Sequence, residues 1–190
     1  MPGAVSDKTR IFARATQYIG ERVTTCVSRI PPATVARAVN ILLSARATFV
    51  YGAGRSGIIG RAFAMRLVQT GLTAYVIGES VTPIVSRGDA VFILSNRGES
   101  YSSMQTANIV RREGADLIVV TARQGSKLAH AATLLITLDL ANDTERTRYA
   151  PLGTLFEAAS LLLTDGLVAE LMVQRNESED SMRRRHAIMV

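Results

Sequence analysis

Five short apolar runs, Thr48–Tyr51, Ala74–Ile77, Ala90–Leu94, Leu117–Thr121 and Leu134–Leu138, show no alternation with polar residues. A strand that is apolar at successive positions is buried on both faces, and helical crossovers between such strands make the sheet parallel. Stretches of helical character fall at 58–70, 101–113 and 126–132, and only the connection through Ser80–Asp89 lacks an obvious long helix. The pattern predicts an α/β fold, a doubly wound three-layer αβα sandwich built on a five-stranded parallel sheet.

A helix pair precedes the first strand. Ser6 is placed to cap a helix running to about Arg29, with Ile11, Phe12, Ala15, Ile19 and Val23 at helical spacing. Pro31-Pro32 ends it, and a second helix spans Pro32–Ser44. After the sheet, Pro151 is expected to open a long apolar helix to about Gln174, followed by the charged stretch Arg175–Arg185. No repeat, low-complexity run or linker interrupts the chain. The expectation is one domain over residues 1–190, with a helical extension at 6–45, a sheet core at 47–140 and C-terminal helices at 151–185. A chain of 190 residues with 47% hydrophobic content suits one well-buried core.

Charge and cysteine usage exclude several function classes. The formal net charge is +6, but the 22 basic residues are spread along the chain rather than gathered in a stripe, which argues against nucleic acid as a partner. Arg183-Arg184-Arg185 is a local cluster and reads as a solvated tail. The lone Cys26 excludes an intrachain disulfide, and His130 and His186 have no spacing that resembles a metal site. No uninterrupted apolar segment is long enough for a membrane span, and Met1–Arg10 lacks an apolar signal core. A cytoplasmic location without membrane partners is the expectation.

Two of the strands end in turns suited to an anion. Tyr51-Gly52-Ala53-Gly54-Arg55-Ser56-Gly57 and Leu94-Ser95-Asn96-Arg97-Gly98-Glu99-Ser100 each follow an apolar run and lead into a helix. A helix N-terminus points unpaired N–H groups outward, glycine lets a phosphate approach them, and serine hydroxyls add donors. Both turns fall at carboxyl ends of strands, where such sheets bind ligands. Gly52, Gly54 and Gly57 also satisfy the Gly-x-Gly-x-x-Gly spacing of a dinucleotide site, with Glu79 where an acid would grip a ribose. Against that reading stand the long helical segment before the first strand, the polar Arg55 and Ser56 within the turn, and a second hydroxyl-rich loop that a dinucleotide does not require. The bland alternative for the first turn is tight strand–helix packing, with Ser56 as an ordinary cap. Two such turns on one sheet favour a phosphorylated ligand.

The stretch Tyr51–Leu67, the pairs Gly78-Glu79, Thr82-Pro83 and Gly88-Asp89, Ser95 with Gly98-Glu99-Ser100, and Ala150–Glu157 (APLGTLFE) together resemble the 6-phospho-3-hexuloisomerases of the sugar-isomerase (SIS) domain proteins. The resemblance implies a flavodoxin-like strand order, no cofactor and a homo-oligomer, usually a tetramer. It implies interconversion of D-arabino-hex-3-ulose 6-phosphate and D-fructose 6-phosphate, the second step of the ribulose monophosphate route of formaldehyde fixation. Substrate and phosphate binding is expected on Gly54, Arg55, Ser56, Gly57, Glu79, Ser95, Gly98 and Ser100, with Arg97 a further candidate within the second turn.

Moving a carbonyl between C3 and C2 needs a base for the proton beside the ketone, polar groups for the enediolate and an acid for the neighbouring carbon. One carboxylate can serve both transfers, and Glu157 within APLGTLFE is the candidate; by spacing alone it also reads as a carboxylate on a polar helix stripe. His186 is the second candidate. It reads either as the ring-opening histidine that related isomerases use, sometimes lent by a neighbouring subunit, or as a surface residue of a basic tail. The chain departs from the family pattern Ser-Gly-Ser-Gly-Glu-Thr by carrying Asn96 and Arg97 at the second and third positions and Ser100 at the last. Three placements are open to Arg97: forked onto the phosphate, turned toward another subunit, or filling the pocket. Rival readings are isomerases of pentose or heptose phosphates and a non-catalytic sugar-phosphate sensor. The sensor reading is weakened by the absence of a basic recognition face in the first 45 residues.

Overall fold

The computed structural model describes residues 7–140 and 142–187. Helices α1 (Asp7–Ser28) and α2 (Pro32–Ser44) precede β1 (Thr48–Gly52), α3 (Arg55–Gln69), β2 (Ala74–Val76), β3 (Ala90–Leu94) and α4 (Tyr101–Glu113). Then come β4 (Asp116–Thr121), α5 (Lys127–Ala131), β5 (Leu134–Thr137), α6 (Arg146–Tyr149), α7 (Thr154–Gln174) and α8 (Glu179–Arg184). The Ser6 cap lies outside the described residues.

The strands form one parallel sheet in the order β2-β1-β3-β4-β5. Successive side chains point to opposite faces. Val50, Phe92, Leu94, Ile118 and Val120 pack with residues of α1, α2, α3 and α7. On the other face Phe49, Val91, Ile93, Leu117 and Val119 meet Ala107 and Val110 of α4 and Leu128 of α5. All five residues of β3 are therefore buried, which explains its unbroken apolar run. Each large side chain so buried stabilises the fold by about 1.5–3 kcal/mol. The strand order reverses between β1 and β3, so the connections leaving these two strands run to opposite sides and leave a crevice at their carboxyl ends.

Two helix starts differ from expectation, and one helix is additional. Helix α3 starts at Arg55 because Gly54, at φ 58°, is its N-cap, so Ser56 and Gly57 lie in its first turn. Helix α7 starts at Thr154 rather than Pro151, since Leu152 is held at φ 57° and cannot belong to a right-handed helix. The short α6 was not expected; Asp143 Oδ1 accepts the Arg146 N–H at 3.0 Å and turns the chain there.

Candidate active site

The β1–α3 turn is held by two glycines in mutual contact. A Cβ on Gly57 would stand 2.4 Å from the Gly52 carbonyl oxygen, and one on Gly52 would stand 2.7 Å from the Ser56 carbonyl carbon. Only glycine lets the helix start this close to the strand end. No side chain caps α3, because its N-cap is Gly54. The first-turn amides around Arg55 and Ser56 are thus left to solvent or a ligand.

The β3–α4 loop is pinned to the neighbouring strand. Ala122 N–H and Thr121 Oγ1 both donate to the Asn96 carbonyl at 3.0 Å, and Leu128 N–H donates to the Gly98 carbonyl at 3.2 Å. Gly98 has φ 64°, and a Cβ there would stand 2.1 Å from Ser126 Oγ. Ser100 caps α4 by accepting from Ser103 N–H, and its hydroxyl donates to Ser103 Oγ at 2.5 Å. Part of its bonding capacity is committed to its own helix.

A third helix N-terminus joins these two. Glu157 lies in the first turn of α7, where a carboxylate is favoured by the helix dipole. Its Oε2 accepts from Arg55 Nε at 2.5 Å, bridging α7 and α3. The glutamate side chain is 13% exposed while that of Arg55 is 73% exposed. Glu157 Oε1 would lie 2.8 Å from a Cβ on Gly153, so the missing side chain at Gly153 is what gives the carboxylate its place. Beside it, α6 is tied to α1 through Asp143, which accepts from Tyr18 Oη at 2.8 Å and pairs with Arg22 at 2.7 Å. The Tyr18 hydroxyl bond, then the Arg146 N–H and the Arg22 charge, hold Asp143 below the ordinary carboxylate value.

Between these elements lies a cavity of about 870 Å³, lined among others by Ser56, Ser95, Arg97, Ser100, Arg146 and Gly153. It opens at the β1/β3 switch point, where three helix N-termini and the lining arginines Arg97 and Arg146 can attract an anion, beside one lining carboxylate, Glu99. Leu152 projects at its mouth, 92% exposed and in the left-handed backbone region. Such a conformation costs a non-glycine residue of order 1–3 kcal/mol.

The sequence-derived candidates divide accordingly. Ser56, Ser95, Arg97 and Ser100 line the cavity; Gly54, Gly57 and Gly98 shape its two turns; Arg55 and Glu157 do not line it but pair with each other next to it, Glu157 lying against the lining residue Gly153. Glu79 does not line it; its Oε1 pairs with Arg61 at 2.7 Å. His186 lines a separate cavity with Arg66 and Gln69 at the end of α3, and α3 spans 15 residues, about 22 Å, from its first turn at the site. Within one chain His186 does not reach Glu157. Sequence reasoning missed Asn96 as a lining group and passed over Arg146 and Thr147. The signal for the last two was Asp143, a turn-forming side chain three residues before Arg146.

The SIS domain model matches residues 41–163, a span from the end of α2 into α7 that contains both turns and Glu157. The chain belongs to the SIS domain family. Among SIS relatives, a 3-hexulose-6-phosphate isomerase of Methylomonas aminofaciens is 34% identical over 151 residues, covering 78% of this chain and 83% of that protein. An uncharacterised protein of Archaeoglobus fulgidus is 36% identical over 180 residues, 93% of this chain and 98% of the relative. The crystal structure of a hypothetical protein from Methanococcus jannaschii, described as inferring a molecular function of 3-hexulose-6-phosphate isomerase, superposes with a TM-score of 0.78 at 26% identity, covering 97% of this chain and all of the other. The SIS fold is thus established for this chain, including the parallel five-stranded sheet flanked by helices.

Proposed function

We propose that this SIS protein is a phosphosugar isomerase that interconverts D-arabino-hex-3-ulose 6-phosphate and D-fructose 6-phosphate. The observation that carries the reading is the Glu157 carboxylate, little exposed and set at the N-terminus of α7 against Gly153, which lines a cavity shared by Ser56 in the first turn of α3 and Ser100 at the start of α4. The names of the relatives support the choice of sugar.

In this reading the phosphate rests on the turns around Ser56, Ser95 and Ser100. Glu157 takes the proton from C2 of the 3-ketose. The C–H electron pair forms the C2=C3 bond as the C3 carbonyl oxygen gains charge, and the Arg55 guanidinium and helix N-termini stabilise that enediolate. Glu157 then returns the proton to C3, the C2 hydroxyl proton passes to the C3 oxygen, and the ketone re-forms at C2.

His186 acts in this reading from a second copy of the chain. Ile58 and Leu161, one turn from Arg55 and Glu157, are exposed, as are Met65 and Leu162, so an apolar surface continues from the site edge along α3 and α7. A homo-oligomer, a tetramer by the family resemblance, covers that surface; a monomer by light scattering at micromolar concentration would rule this out. The test of function offers hex-3-ulose 6-phosphate and measures fructose 6-phosphate, with ribose and heptose phosphates as competitors. Turnover of a pentose or heptose phosphate instead would move the assignment within the family, and binding without turnover of any sugar would make the chain a sensor.

A further inference from the structure

The cavity does not end at the serine turns. Next to it, sharing Arg97, Arg146 and Leu152, is a second hollow of about 410 Å³ over the carboxyl ends of β4 and β5. Its lining brings together three arginines from separate parts of the chain, Arg97 after β3, Arg123 after β4 and Arg146 in α6. Among the described residues, no carboxylate lines this hollow and none of the three arginines has a carboxylate partner, although eight ion pairs occur elsewhere. The one side-chain hydrogen bond among them is Arg146 Nη1 to the Leu152 carbonyl at 3.3 Å, which steadies that guanidinium and leaves its other donors unspent. The apolar wall of Leu155 and Phe156 limits water on one side.

Like charges gathered without counter-charges repel, and an anion seated among them relieves that repulsion and is attracted by all three. Guanidinium groups match the planar donor pattern that phosphate and carboxylate oxygens accept. We propose that Arg97, Arg123 and Arg146 form a second oxyanion site, so that the pocket accepts a sugar bearing a second phosphate or carboxylate besides the phosphate on the serine turns. The inference rests on the reading of those turns as the first phosphate site. It gives Arg97 a role distinct from reinforcing the first phosphate. The hollow joins the larger cavity at Asn96, Arg97, Arg146 and Leu152, so a linear bisphosphorylated sugar would run from the serine turns across that junction to the arginines.

Calorimetric titration of the full chain distinguishes the sources of the second anion. Fructose 1,6-bisphosphate carries it tethered, and inorganic phosphate added to protein saturated with fructose 6-phosphate supplies it free. The bisphosphate should bind at least tenfold more tightly than fructose 6-phosphate, and Arg123→Gln should abolish that excess while leaving fructose 6-phosphate affinity within about twofold. A phosphate signal on the saturated protein, lost in the same variant, would show that the site also takes a free oxyanion. Equal affinity for the two sugars with no free-phosphate signal, or an excess that survives Arg123→Gln, overturns the proposal. Because Arg123 is exposed, the melting temperature of the variant should match wild type, and Arg123→Lys should recover part of the excess. Turnover of hex-3-ulose 6-phosphate is read separately: an active enzyme without the bisphosphate preference refutes this inference alone, and the preference without turnover refutes the isomerase reading alone.

Discussion

Replacing Glu157 by glutamine removes one charge and almost no volume, and the structure separates its two consequences. The ion pair it breaks has a partner, Arg55, that is 73% exposed. Pairs of that kind are worth about 0–1 kcal/mol, and the glutamine carbonyl oxygen still accepts from Arg55 Nε. Stability should fall by less than about 1 kcal/mol, which for a chain of this size moves the melting temperature by about 2–4 °C at most. Catalysis should fall much further. Losing a positioned acid–base group costs about 10²–10⁴-fold, equivalent to about 2.7–5.4 kcal/mol on the barrier. The assay couples fructose 6-phosphate formation through phosphoglucose isomerase and glucose-6-phosphate dehydrogenase to NADPH absorbance, beside calorimetry of fructose 6-phosphate binding. The expected result is kcat lowered at least a hundredfold, with affinity within a few-fold. Turnover within threefold of wild type would remove Glu157 from proton transfer, and loss of binding in parallel with turnover would reduce it to a binding group.

Gly57→Ala drives a methyl group against the Gly52 carbonyl, 2.4 Å from its Cβ, so the strand end or α3 must shift; a loss of about 1–3 kcal/mol in urea unfolding and weaker fructose 6-phosphate binding are expected. Gly125→Ala, with nothing within 4 Å and no positive φ, is the neutral control. Burial, then the charge of Asp139, raises the Cys26 thiol from 9.0 to about 11, so the folded protein should react with Ellman's reagent at pH 8.5 far more slowly than the denatured chain. The stability this thiol contributes is complete below pH 9 and lost as pH rises toward 11, and equal rates in the folded and denatured states would refute its burial. Glu177 is lowered from 4.5 to about 2, first by hydrogen bonding from Arg185 and then from Ser181. Its contribution is complete above pH 4.5 and lost as pH falls toward 2, so Glu177→Gln should flatten the acid limb of a stability–pH curve; an unchanged slope would refute the assignment.

How much of this is legible in sequence depends on how local the cause is. The apolar run at Ala90–Leu94 gives β3 to the residue because both faces of the strand are buried. The turn at Gly52–Gly57 is legible for a similar reason, since its glycines answer a contact within six residues. The Arg55–Glu157 pair spans 102 positions and follows from the packing of α3 on α7, which no spacing announces. Glu79 sits where a ribose-gripping acid would sit, yet in space its neighbour is Arg61. Arg146 was hidden in a stretch without periodicity, because α6 is four residues long and owes its place to Asp143 and the Tyr18 and Arg22 side chains of α1.

The conformation of Leu152 follows from the same distant packing and bears on the chemistry. Two demands meet at the start of α7: the chain must leave α6, which is fastened to α1, and it must enter a helix whose first turn places Glu157 against Gly153. Pro151 cannot supply a positive φ, and Gly153 at φ −93° keeps the space that Glu157 Oε1 occupies. The reversal therefore falls on Leu152, at φ 57°, and its side chain is left at the mouth of both hollows. A glycine at 152 would relieve the strain but loosen the chain just before Glu157; a leucine holds it at a cost of order 1 kcal/mol and shields the opening. The strained residue is thus the point where anchoring of α6, which carries Arg146, is converted into the position of Glu157 in α7.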